Sequence, residues 1–180
     1  MENELDFIQE LLHPKTQELA FKKLVKTYQK PLYNHIRTIV LNHDDTDDVL
    51  QNTFIKVFRN LESFKGESKL FSWMYRIATN EALTFLQQKA RRFNTTSEEL
   101  IQKQTEKMKA DDYFDGDEIQ LKLHQSISQL PEKQQIVFKM KYFQELKYEE
   151  ISEILDTSVG ALKASYHHAV KKIENYMNTH

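Results

Sequence analysis

The chain has 180 residues with 3 glycines, 3 prolines and no cysteine, and its 25 Lys and Arg nearly balance 27 Asp and Glu for a formal net charge of −2. So few helix breakers predict an all-α protein, and the lack of thiols excludes disulfides, thiol catalysis and cysteine-ligated zinc. A charge near zero also excludes a protein that coats nucleic acid by electrostatics alone, because non-specific affinity comes mainly from phosphate neutralisation.

Charge is spread unevenly. Residues 1–93 carry 14 Lys and Arg against 12 Asp and Glu, residues 94–118 carry 3 against 8, and residues 119–180 carry 8 against 7. This division predicts two small helical domains, 1–93 and 119–180, joined by a flexible acidic linker over 94–118. No apolar run approaches the roughly 20 residues that span a bilayer, and the acidic start is unlike a signal peptide, so a cytoplasmic protein is expected.

In chain order, residues 4–12 read as a short amphipathic helix closed near His13-Pro14. A longer helix over 17–40 buries Phe21, Leu24, Val25, Tyr28, Leu32, Tyr33, Ile36 and Ile39, with an interruption expected at Lys30-Pro31, where proline removes a donor. In DDTDDVLQNTFIKVFRNL, Leu50, Phe54, Val57, Phe58 and Leu61 recur at helical spacing as a core stripe. The reverse face carries Asp44, Asp48, Asn52, Ile55 and Arg59. Ile55 amid that polar face is either an ordinary exposed isoleucine or an apolar point left for a partner.

NLESFKGES then reads as a turn with Phe64, Lys65 and Ser68 exposed and Ser68 able to cap the next helix. In SKLFSWMYRIATNEALTFLQQKARR, Leu70, Met74, Ile77, Ala78, Ala82 and Phe85 form the core stripe, while Trp73, Arg76, Asn80, Leu83, Gln87 and Arg91 share another side. An aromatic, an amide and cations on one side fit a surface for single-stranded nucleic acid. The competing reading is a Trp turned into the core and an Asn that is simply solvated.

From Asn94 to Glu118 periodicity weakens, with a marginal helix over 98–108 followed by the acidic cluster DDYFDGD, either a tether or a competitor of nucleic acid. Beyond it, helices are predicted over 119–130, over EKQQIVFKMKYF after Pro131, over KYEEISEILD and over TSVGALKASYHHAVKKIENYM. Ile136, Val137, Met140 and Phe143 point inward on the first long one, then Tyr148, Ile151, Ile154 and Leu155, then Val159, Leu162, Tyr166, Ala169, Val170 and Ile173. A short helix, a turn at Asp156-Thr157-Ser158 and a longer helix form a helix-turn-helix pattern. Gly160, Ala164, His167, His168 and Lys171 then point outward, with Lys163 on the flank, as candidate base and phosphate readers. Adjacent His167 and His168 diverge by about 100°, which argues against a metal site. No phosphate loop, HExxH or nucleophile elbow appears, so neither a cofactor, a metal nor a small-molecule substrate is expected and the chain is not read as an enzyme.

DDVLQNTFIKVFRNL, FKGESKLFSWMYRIATNEAL, LPEKQQIVFKMKYFQELKYEEISEIL and SVGALKASYHHAVKKI, in this order, resemble the extracytoplasmic-function (ECF) sigma factors of the sigma-70 family, a likeness that extends from about Ala20 to Ile173. The resemblance implies a subunit that binds core RNA polymerase, through the clamp helices of the largest subunit and the flap of the second largest, directs it to promoter DNA and helps open the duplex; it also implies an anti-sigma partner. By position it assigns Asp48, Gln51, Asn52 and the adjoining Ile55 to polymerase. It assigns Phe64, Lys65, Ser68, Lys69, Trp73, Arg76 and Asn80 to the −10 element, and Lys163, Ala164, His167 and His168 to the −35 element, beside which helical periodicity places Gly160 and Lys171 as further candidates. Ser165 and His168 replace arginines frequent in the family, which implies a weaker phosphate grip. The alternative is a stand-alone helix-turn-helix regulator with a dimerising or ligand-sensing first domain.

Overall fold

Capping chemistry sets most of the helix starts in this computed structural model, which describes residues 4–108 and 117–179. Among those residues nine α-helices occur and no strand: α1 (Glu4–Leu12), α2 (Gln17–Val40), α3 (His43–Arg59), α4 (Leu70–Arg92), α5 (Ser97–Lys107), α6 (Glu118–Ser128), α7 (Glu132–Tyr142), α8 (Tyr148–Leu155) and α9 (Val159–Thr179). Asn42 begins α3 by accepting from the Asp45 N–H at 2.9 Å, Asp117 begins α6 by accepting from Gln120 N–H at 2.9 Å, and Thr96 with Glu99 forms a reciprocal capping box at α5. At α4 the expected Ser68 cap is replaced by a distant one. The Leu70 N–H donates to Glu4 Oε1 of α1 at 2.7 Å, which puts a carboxylate on the positive end of a 23-residue helix.

The interruption expected at Pro31 does not occur, and α2 runs on to Val40. Pro31 and Thr27 are both exposed, so the Thr27 carbonyl that loses its N–H partner faces water rather than core. Leu41 then ends α2 in the left-handed region at φ 62°, with its N–H on the Arg37 carbonyl.

α2, α3 and α4 pack pairwise, with α1 bracing α2. Leu11, Leu24, Val57, Leu61, Leu70 and Met74 form one buried cluster at the start of α4. Phe58 departs from its expected place in the core: it is 46% exposed and touches only the rim through Phe21, ring centroids 5.0 Å apart, because Leu61 in a 3-10 turn just past α3 takes the interior position. A second cluster of Ile127, Leu130, Phe138, Ala169 and Ile173 joins α6, α7 and α9. The largest cluster spans both ends of the chain, from Ile36 on α2 through Tyr75 and Ala82 on α4 to Met140 on α7 and Ile154 on α8.

The 94–118 stretch carries α5, close to the helix expected over 98–108, with Leu100, Ile101 and Met108 buried. The acidic cluster DDYFDGD lies outside the described residues apart from its last aspartate, the α6 cap. No described helix is long and apolar enough to cross a membrane.

Met74 has no exposed surface and lies between Leu24, Val57 and Leu70 in one cluster. Met74→Ala should therefore lower the unfolding free energy by about 2–5 kcal/mol, whereas Leu19→Ala, at a residue 76% exposed, should stay within about 0.5 kcal/mol; urea midpoints at unchanged m-value measure both.

Candidate functional site

Three surfaces carry the candidate residues. On α3, Asp48, Gln51, Asn52 and Ile55 fall on one exposed face, because spacings of three and four residues return to the same side of a helix. Ile55 is 42% exposed. Next to this face a groove between α3 and α4 is lined by Asn52, Lys56, Glu81, Phe85 and Gln88, with Lys56 paired to Glu81 across it. Closer to the start of α3, Asp45 takes the Lys89 ammonium.

The second surface is the loop before α4 and the outer side of α4. Lys65, Lys69, Arg76 and Asn80 are exposed and Ser68 is half-buried. Gly66 sits at φ 71°, a left-handed conformation that lets the loop turn tightly. Phe64, expected exposed in the loop, is instead only 9% exposed, with its ring 5.0 Å from that of Trp73. A phenyl ring in a short loop over a helix start gains more by covering Leu61 and Leu70 than by facing water. Trp73 is half-buried under the same contact, so its ring is part core and part surface. Arg76 is not free either, since its guanidinium donates to the Glu153 carbonyl of α8.

The third surface is on α9. Asp156 turns the chain between α8 and α9 at φ 50°, ψ 49°, the left-handed conformation that aspartate tolerates better than most residues. Ser158 Oγ then accepts from the Ala161 N–H at 3.3 Å and starts α9. Leu162, Ala169 and Ile173 are buried, and Gly160, Lys163, Ala164, His167, His168 and Lys171 are all exposed along the opposite side. A Cβ added at Gly160 would meet nothing, so its small size serves no internal contact and leaves room for a close approach from outside.

Residues 24–92 match the family model for sigma-70 region 2, and residues 120–173 match that for sigma-70 region 4. The chain is 32% identical over 166 residues to the ECF RNA polymerase sigma-E factor of Haemophilus influenzae, which covers 87% of this chain and 86% of that protein. The chain belongs to the ECF sigma factors of the sigma-70 family. This sigma factor is also 30% identical over 174 residues to the RNA polymerase sigma-H factor of Pseudomonas aeruginosa, covering 86% of this chain and 84% of the other. Its fold is that of CnrH in complex with the cytosolic domain of CnrY, at a TM-score of 0.69, 18% identity and coverage of 97% and 96%. The sigma factor RpoE in complex with the anti-sigma factor NepR from Bartonella quintana gives a TM-score of 0.65 at 16% identity, over 88% and 97% of the two chains.

Several residues at the heart of this sigma factor escape a reading of periodicity. Tyr75, Thr79, Leu86 and Ala90 are buried on a second side of α4, facing α5 and the C-terminal helices. Burial, with a smaller contribution from Tyr28, pushes the Tyr75 phenol up to about 12, so it stays neutral. On α7 every residue from Gln135 to Met140 is buried, Lys139 included. Lys139 Nζ donates to Gln135 Oε1 at 3.3 Å, and burial pulls its ammonium down to about 8. A lysine flanked by Val137, Phe138 and Met140 is the one available signal in the sequence, since a helix apolar all round is a buried one.

Because Phe64 is packed rather than presented, Phe64→Ala should cost about 3 kcal/mol of unfolding free energy, near the lower end for a buried phenylalanine, while Lys65→Ala beside it should change stability by no more than about 0.5 kcal/mol. Equal denaturation midpoints for the two variants would return Phe64 to the surface.

Proposed function

We propose that this sigma factor docks on core RNA polymerase through the exposed face of α3 and reads promoter DNA with two further surfaces, α4 with its preceding loop and α9. In this reading residues 1–93 and 119–180 are the two working domains and 94–118 joins them. Asp48, Gln51, Asn52 and Ile55 grip the clamp helices of the largest subunit, and the C-terminal helices meet the flap of the second largest. The observation that carries the assignment is Ile55, an isoleucine 42% exposed in the middle of a polar helix face and beside a groove. An apolar centre with a polar rim is the usual composition of a protein-binding patch.

Lys65, Lys69 and Arg76 supply charge to the backbone of the −10 strand, and Ser68 and Asn80 supply short polar groups that can meet the edge of an unstacked base. Phe64 and Trp73 form the apolar floor of that loop, so Phe64 shapes the site instead of contacting the strand directly. A base held outside the stack can be read on its pairing edge while protein contacts offset the unstacking cost. On α9, Gly160 and Ala164 allow close approach to the duplex. His167 and His168 face base edges of the −35 element, and Lys163 and Lys171 face phosphates. The protein performs no chemistry of its own and acts where polymerase acts, in the cytoplasm. An anti-sigma factor is a further partner, a proposal supported by the likeness of fold to a sigma factor that was solved with one.

Ile55→Glu combined with Asp48→Arg should abolish co-purification with core polymerase at nearly unchanged stability, because both side chains are exposed and surface changes shift stability by about 0.5 kcal/mol or less. Recovery of normal amounts of core with the folded double variant would remove α3 from the interface.

For α9, the affinity of the assembled holoenzyme for a −35 duplex should fall less steeply with salt in Lys163→Ala and in Lys171→Ala, by about one unit of the logarithmic slope each. Discrimination between promoter sequences should be unchanged in both, since phosphate contacts position without specifying. A loss of sequence preference in either variant would make that lysine a base reader.

A further inference from the structure

The N-terminal and C-terminal helices meet along a buried seam that is polar at one point. His35 of α2 is 1% exposed, yet both of its ring nitrogens have partners. Nε2 lies 2.8 Å from Thr79 Oγ1 on α4, and Nδ1 lies 3.0 Å from Gln144 Oε1 in the turn between α7 and α8, 109 residues away in sequence. Less than one turn before Thr79 on α4, Arg76 donates to the Glu153 carbonyl of α8. Buried polar groups in an apolar seam are costly unless every one is paired, so this triad favours one arrangement of the two halves over the many that apolar contact alone would permit.

Thr79 Oγ1 donates its single proton to the Tyr75 carbonyl at 2.7 Å, so at His35 it accepts, and Nε2 carries a hydrogen. Gln144 presents its carbonyl oxygen to Nδ1 while its own amide nitrogen is buried without a partner. In this orientation Nδ1 also needs a hydrogen, which makes the ring an imidazolium. With the amide turned over, Gln144 donates to a bare Nδ1 and the ring is neutral. The triad can hydrogen-bond either form, so it is the burial of the charge beside Lys139, and not a lost hydrogen bond, that sets the charged ring against closure.

We propose that His35 is a proton-sensitive latch: neutral, it holds the two halves of the chain closed over the side of α4 that carries Arg76, and charged, it lets them part. The surroundings disfavour a charge there. The nearest ionisable groups facing it are Tyr75 of α4, whose ring centroid is 4.8 Å away, and Lys139 of α7, itself buried. Burial is the main cause that pulls His35 down to about 4; the Gln144 hydrogen bond opposes it, and the Lys139 charge adds to it. His124 of α6, stacked on Phe143 and close to Lys139 and Arg37, is also pulled down to about 4, mainly by burial, so the seam gathers cationic groups from α2, α6 and α7.

A base with a depressed pKa binds fewer protons in the closed form than in the open one, so closure is fully favoured above the ordinary histidine range and weakens as pH falls from 6.5 towards 4. For His35 alone the open-to-closed ratio should rise about tenfold between pH 7.5 and 5.5. The consequence for DNA rests on the role proposed above for Arg76 and α4; the opening itself does not.

The chain has no cysteine, so Glu62→Cys with Asn178→Cys, both exposed positions, accept a fluorophore pair without background. Energy transfer in the full chain should report a single distance at pH 7.5 and a growing second population towards pH 5.5, with helicity by circular dichroism unchanged. His35→Gln keeps a hydrogen-bonding amide and should remove the roughly tenfold share of the response that His35 contributes, leaving only what His124 adds. Gln144→Leu should open the seam already at pH 7.5, which tests the latch even if the His35 variant does not fold. A distance constant from pH 7.5 to 5.5, or a wild-type response in His35→Gln, overturns the latch. Opening on acidification with no gain in affinity for a single-stranded −10 oligonucleotide supports the latch and counts against the role given to α4.

Discussion

Burial of α4 on two sides is the constraint on which the rest of this sigma factor depends. The helix is about 35 Å long at 1.5 Å per residue, and one side of it packs on α2 and α3 while another is covered by α5 and α8. Each fully buried leucine or methionine side chain contributes about 1.5–3 kcal/mol and each buried methyl about 0.8 kcal/mol, so Leu70, Met74, Ala78, Ala82 and Leu86 together anchor both ends of the chain to one rod. What is left of α4 is a narrow exposed strip including Arg76 and Asn80. Any ligand of α4 must therefore approach along that strip or displace a neighbour.

The same rod explains where the specificity of the fold resides. The apolar cluster from Ile36 to Ile154 would tolerate sliding and rotation of one half against the other, because hydrophobic contact is not directional. His35 and Thr79 are directional and buried, Gln144 meets them from a half-buried position, and Lys139 is a buried cation on the adjoining helix. Groups of this kind add little net stability, since desolvation offsets most of their attraction. Their effect is to penalise every arrangement that leaves one of them unpaired. A seam built in this way is selective when closed and sensitive to a single proton.

Function is divided among surfaces that fold-level packing leaves open. The exposed face of α3 points away from α2 and α4, which cover its other sides, so a partner can reach Ile55 without disturbing the core. On α9 the inward residues Leu162, Ala169 and Ile173 fix the rotation of the helix, and that rotation alone turns Lys163, His167, His168 and Lys171 outward as a set. The loop before α4 differs: its apolar ring is drawn inward while its polar residues, Lys65 and Lys69 among them, stay at the surface, so its shape depends on the contact between Phe64 and Trp73.

The all-α class, the helix spans, the turn at Asp156 and the outward sets on α3 and α9 were legible in the sequence, because periodicity states which residues share a face and capping residues state where a helix begins. Membership of the ECF sigma factors was legible too, through the order and spacing of whole motifs. Periodicity does not state what covers a face. For that reason Phe64 was expected in solvent and is packed, Phe58 was expected in the core and lies at its rim, and the second buried side of α4 with Tyr75 and Thr79 went unread. The cap on Leu70 came from Glu4, 66 residues earlier, where no local rule could find it. The seam at His35 joins residues 109 positions apart; its polarity, its buried lysine and its closed geometry arise only when two helical halves are brought together, and only tertiary structure decides that.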